Sequence, residues 1–76
     1  MSIPFNYRKL KGRIVEKCGT QYEFAKEMGM SERTLSLKMQ GKQSWKQTDI
    51  LRAIEVLDLD VADVQDYFFA VQVQSV

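Results

Sequence analysis

Histidine is absent from this 76-residue chain, and cysteine occurs once, at Cys18. Without histidine, neither a Ser-His-Asp nor a Cys-His catalytic set can be assembled. The usual Cys/His ligands of a zinc site are missing as well, so no metal site is expected. A single cysteine cannot close a disulfide within the chain, and a lone reduced thiol fits a cytosolic protein. Long apolar runs are also lacking, so no helix is expected to span a bilayer. The opening Met1-Ser2-Ile3-Pro4-Phe5 has no long apolar core of the secretory kind. A chain this short makes one domain at most. It buries roughly 60% of its unfolded surface, which leaves little room for an enclosed catalytic cavity. No enzyme, cofactor or small-molecule substrate is therefore expected. Hydrophobic residues make up 45% of the chain and charged residues 28%, which fits a soluble globular domain and argues against disorder.

The net charge of +1 conceals a division along the chain. Residues 1–46 carry ten basic and four acidic groups, a balance of +6. Residues 47–76 carry Arg52 against six acidic groups, a balance of −5. A basic half is what a polyanionic partner would meet, although basic helices are often only solvated surface.

Five helical segments can be read, with no repeat or linker between them. The first spans Tyr7 to Cys18, with Asn6 as its N-cap and Tyr7, Leu10, Ile14 and Cys18 as one apolar stripe. Its opposite face carries Arg8, Lys9, Lys11 and Arg13, and Gly19 ends it. The second spans Gln21 to Met28, opened by a Thr20/Glu23 capping box and buried through Phe24, Ala25 and Met28. The third spans Glu32 to Gln40, capped by Ser31, buried through Leu35 and Met39, and stopped by Gly41. Only Gly29-Met30-Ser31 joins the second to the third, which is the pattern of a helix-turn-helix at residues 21–40. The fourth spans Trp45 to Leu57 behind a Ser44/Gln47 capping box, with Trp45 as a hydrophobic staple. The fifth is short, Val61 to Asp66, capped by Asp60. From Tyr67 to Val76 the period changes to two, with Phe69, Val71 and Val73 alternating with Ala70, Gln72 and Gln74. This reads either as a strand that pairs with another segment or subunit, or as a frayed tail.

The arrangement Gln21-x3-Ala25-x3-Gly29-x-Ser31-x3-Leu35-Ser36 resembles the helix-turn-helix family of the Cro and lambda-repressor type, the XRE-like family. Ala25 must be small where the two helices cross, Gly29 makes the turn, and Leu35 anchors the third helix. Residues Thr34 to Lys42, followed by Trp45 and a helix ending at Leu57, look like the small phage Cro-like regulators. The resemblance implies an all-α, five-helix domain over residues 1–69 and a short C-terminal β-like tail over 70–76. One departure stands out: relatives are often apolar three residues after Leu35, where this chain has Lys38.

The function implied is operator binding in the cytoplasm of a bacterial host, with the third helix in the major groove of double-stranded DNA. Glu32, Arg33, Thr34, Ser36 and Leu37 would then read bases. Gln21, Lys38, Lys42, Gln43 and Lys46 would contact phosphates. Phe69, Val71 and Val73 would form a homodimer interface. Plainer roles stand beside these: Glu32 as a favourable charge at a helix N-terminus, Arg33 as solvated surface, Leu37 as a partly buried residue and Cys18 as a buried small hydrophobe. A second function keeps the fold and changes the partner. Glu32 leads the third helix, where a carboxylate faces phosphates unfavourably, and Leu37 adds an apolar group to the same surface. Both suit an antirepressor that binds a phage repressor protein.

Overall fold

The computed structural model describes residues 5–70. Five α-helices follow one another: α1 (Arg8–Cys18), α2 (Gln21–Met28), α3 (Glu32–Met39), α4 (Gln47–Leu57) and α5 (Val64–Phe68), the last preceded by a 3-10 turn at Val61–Asp63. The all-α helix-turn-helix architecture is as expected, and no strand forms among the described residues. None of these helices is long and apolar enough to cross a membrane.

At α1, α2 and α3 a side chain supplies an acceptor for the free N–H groups of the first turn. The Asn6 Oδ1 accepts from the Arg8 N–H at 2.9 Å. The Thr20 hydroxyl accepts from the Glu23 N–H at 3.1 Å, which is the first half of the expected box. Ser31 does the same for the Thr34 N–H at 3.1 Å. Between α2 and α3 the chain reverses at Gly29, whose φ of 72° lies in the left-handed region that glycine enters without a Cβ penalty. The Met30 N–H then closes the turn on the Ala25 carbonyl at 3.0 Å.

The apolar stripes converge on one core. Phe24, Phe68, Leu10, Ile14, Leu35 and Leu57 are its largest fully buried side chains. Burial of such a residue stabilises the fold by roughly 1.5–3 kcal/mol, so the core depends on all five helices. Cys18, Met30 and Trp45 are half-buried against it. Trp45 packs on the Tyr7 ring, with centroids 6.2 Å apart, and edge-on against Phe68 at 5.0 Å.

Several boundaries differ from the sequence reading. Helix α1 starts at Arg8 rather than Tyr7, and α3 ends at Met39 rather than Gln40. Helix α4 starts at Gln47 rather than Trp45, because Lys46 is extended and its N–H donates to the Asp49 carboxylate at 2.9 Å. The cap is thus Lys46/Asp49 in place of Ser44/Gln47, which leaves Trp45 outside the helix and turned into the aromatic cluster. Helix α5 runs from Val64 to Phe68 behind the 3-10 turn rather than from Val61 to Asp66, so Tyr67 and Phe68 are helical where the sequence reads as a strand or a frayed tail. Burial of Phe68 against Trp45 outweighs its local β preference. At the other end of α4, Asp58 takes a left-handed φ of 53° without being glycine. The Arg13 side chain donates to the carbonyls of Leu57 at 2.9 Å and of Asp58 at 3.1 Å there, and so caps the helix from across the core. Val71 and Val73, expected in the tail strand, lie outside the described residues.

Leu35 has no exposed surface and anchors α3 in the core. Leu35→Ala should lower stability by about 2–5 kcal/mol in urea unfolding, with the fold retained as judged by circular dichroism.

Candidate functional site: the α3 surface

Helix α3 turns Leu35, Lys38 and Met39 inward, which leaves Glu32, Arg33, Ser36 and Leu37 on its other side. Glu32, Arg33, Ser36 and Leu37 line one side of an open cleft of about 510 Å³, and Gln21 at the start of α2 and Gln40 at the end of α3 complete it. Five of these six are among the residues that the sequence singles out. Gln40 is the one it misses, although the i, i+4 spacing from Ser36 carries the signal: the Gln40 side-chain amide donates to the Ser36 hydroxyl at 2.9 Å. Leu37 is half-buried yet does not join the main core. It gives an apolar element to a cleft that a carboxylate and a guanidinium also line.

Thr34 plays a different part. Its hydroxyl accepts from the Ser31 hydroxyl at 3.0 Å, and its N–H is held by the same group. It belongs to the helix cap rather than to the cleft. Lys42, Gln43 and Lys46 are exposed on the segment between α3 and α4, outside the residues lining the cleft. Phe69 is 48% exposed and pairs edge-on with Phe5 of the same chain, centroids 6.2 Å apart.

Lys38 is the largest correction. Expected to reach a phosphate, it is 2% exposed. Its Nζ lies 2.9 Å from an Asp49 carboxylate oxygen and donates to the Ser44 carbonyl at 2.8 Å. A buried ammonium is tolerated only when paired and hydrogen-bonded, and both conditions are met. For Asp49, burial alone would raise the carboxyl pKa. Hydrogen bonds from the Lys46 N–H and the Lys38 ammonium, with the charges of both lysines, outweigh it and hold the pKa below its usual value.

Part of the basic half of the sequence is answered by carboxylates within the fold. Lys9 lies 3.7 Å from Asp66 and Lys17 lies 4.0 Å from Asp58. Arg13 pairs with Glu16 and caps α4. The basic face of α1 is thus partly covered by carboxylates from the acidic half. Cys18 is half-buried, and burial first, then Glu27 and Glu23, push its thiol pKa up. Such a thiol is a poor nucleophile.

With this geometry in place, comparison with known proteins decides the family. A family model described as "Protein of unknown function (DUF739)" matches residues 3–71, and the chain belongs to that family. The chain is also similar to the solution structure of the modulator of repression (MOR) of the temperate bacteriophage TP901-1 from Lactococcus lactis. The two are 52% identical and superpose with a TM-score of 0.79 over 91% of this chain and 93% of that one. No curated protein matches the chain significantly. The expected membership of the Cro and lambda-repressor (XRE-like) family is thereby corrected. The residues that carried that resemblance, Ala25, Gly29 and Leu35, specify how two helices cross and turn. That packing requirement is common to helix-turn-helix domains of more than one family.

Because the Asp49 pKa is depressed, its contribution to stability is full above the unfolded carboxyl pKa, near about 3.9, and is lost as pH falls through the folded value. Asp49→Asn should therefore lower stability at neutral pH and flatten the acid limb of the stability curve below about pH 4, read by urea unfolding across pH. Lys38→Met, which strands the carboxylate, should cost about 3 kcal/mol at about pH 7.

Proposed function

We propose that this chain, a member of the DUF739 family, is a modulator of repression that binds a phage repressor protein through its α3 surface. The observation that carries the reading is the 52% identity to the TP901-1 modulator of repression over nearly the whole of both chains. Three features of the α3 surface support a protein target over operator DNA. Burial of Lys38 against Asp49 removes a cation from the helix that would face phosphates. Glu32 places a carboxylate at the start of that helix, favourable to the helix dipole and unfavourable to a polyanion. Leu37 adds an apolar element to a cleft also lined by Arg33 and Glu32, a mixture of apolar and charged groups that protein interfaces use.

On this reading Arg33 pairs with a carboxylate of the repressor, Leu37 fills an apolar contact, and Gln21, Ser36 and Gln40 supply adaptable hydrogen bonds. Occupying the repressor in this way changes its hold on operators without chemistry, cofactor or small molecule. The site of action is the bacterial cytoplasm, where the repressor works.

Calorimetric titration against a temperate-phage repressor tests the reading. A saturable complex is expected, weakened at least about tenfold, or about 1.4 kcal/mol, by Leu37→Asp and by Arg33→Glu. Duplexes carrying that repressor's operators should bind no better than random DNA at physiological salt. Sequence-specific duplex binding, lost in Arg33→Ala and accompanied by no repressor complex, would sink the proposal and restore operator reading.

A further inference from the structure

The segment between α3 and α4 carries Lys42, Gln43 and Lys46, and it is tied down at several points. After Gly41 reverses the chain at φ 76°, the N–H groups of Lys42 and Gln43 both donate to the Leu37 carbonyl, at 2.9 and 3.2 Å. Further on, the Ser44 carbonyl accepts from the Lys38 ammonium at 2.8 Å. At the far end the Lys46 N–H donates to Asp49 at 2.9 Å. Lys38 and Asp49 are themselves joined at 2.9 Å. One buried ion pair therefore links the last turn of α3, the middle of the connecting segment and the first turn of α4.

Stability alone does not account for this pair. Replacing a buried ion pair by neutral groups of similar volume is often neutral or stabilising, because desolvation offsets the attraction. An apolar residue at position 38 would fill the space without that cost. What it would not supply is a long arm ending in several donors, able to hold a backbone carbonyl and a carboxylate together.

We propose that Lys38 is a positioning residue: with Asp49 it latches the 40–46 segment to α3, so that Lys42 and Gln43 are presented to the partner in fixed relation to the Arg33/Leu37 cleft. The partner meets two patches, the cleft and the latched segment, as one rigid surface. Preorganisation of this kind raises affinity by removing the ordering cost at binding. It also places a charged residue of α3 in a role that no partner contact explains.

The test compares wild type with the Lys38→Met/Asp49→Asn double variant. The side-chain amide introduced at position 49 can still accept from the Lys46 N–H, and no charge is left stranded. The double variant should unfold within about 5 °C of wild type. Amide hydrogen exchange at Lys42 and Gln43 should nonetheless accelerate at least about tenfold, while exchange in the α1 and α2 core stays unchanged. Repressor affinity should fall about tenfold at that unchanged stability. A folded double variant whose Lys42 and Gln43 amides exchange at the wild-type rate overturns the proposal. The affinity arm rests on the function proposed above, whereas the exchange arm does not, so absence of a repressor complex with wild type would fail that function and leave the latch decided by exchange. A readout in wild type covers the case in which the double variant does not fold. The Lys38 ammonium should give a slowly exchanging nitrogen resonance, distinct from those of the exposed lysines. An ammonium exchanging as fast as theirs overturns the proposal equally.

Discussion

A charged side chain enters a protein interior only with its partners in place, and the contact of Lys38 with Asp49 meets that demand at the junction of α3 and α4. Much of the candidate surface is arranged around it. Asp49 faces Lys38 from the first turn of α4, and the same carboxylate accepts the Lys46 N–H at the point where that helix begins. That start leaves Trp45 ahead of the helix, with its ring packed on Tyr7 and Phe68. It also takes from α3 the lysine that would have stood nearest a phosphate backbone. A local ion pair thereby influences the element boundaries, the aromatic packing and the character of the exposed helix.

Charge is handled by the fold in the same spirit. The basic and acidic halves of the sequence are separated along the chain but meet in space, with Lys9 beside Asp66 and Lys17 beside Asp58. These pairs are exposed and individually worth little. Their consequence is electrostatic: the face of α1 that looked strongly basic is partly neutralised. Arg13 goes further and directs its guanidinium to the carbonyls that end α4. The charge left around α3 is mixed in sign, with Glu32 and Arg33 side by side and Leu37 near them. A surface of that kind suits a protein partner better than the uniformly negative face of a duplex. The similarity to a phage modulator of repression points in the same direction.

Part of this is legible in the order of residues alone. Thr20 and Ser31 as caps, Gly29 as the turn, and the stripe of Leu10 and Ile14 are local signals whose physics is complete within a few residues. That Glu32, Arg33, Ser36 and Leu37 share one surface of the third helix also follows from helical period, whereas Gln21, read with the phosphate contacts, joins them only in the folded cleft. Gln40 escapes notice because its role depends on a side-chain bond to Ser36 one turn earlier. Lys38 is visible as a departure from the motif yet reads as outward-facing, because a lysine is rarely buried and its partner Asp49 lies far along the chain, beyond a turn. The family is misread for a related reason, since the motif residues answer to helix packing and not to what the outer face touches.

Helicity, about half of the helix ends and the apolar residues of the core follow from the order of residues. They rest on hydrophobic periodicity and on caps that act over three or four positions. Which charges face outward is another matter and is settled when the helices dock. Pairing between Lys38 and Asp49, Lys17 and Asp58, or Arg13 and the end of α4 depends on distances that exist only in the folded chain. Coulomb attraction and desolvation act through space rather than along the backbone, so the sign and reach of the α3 surface belong to the tertiary structure.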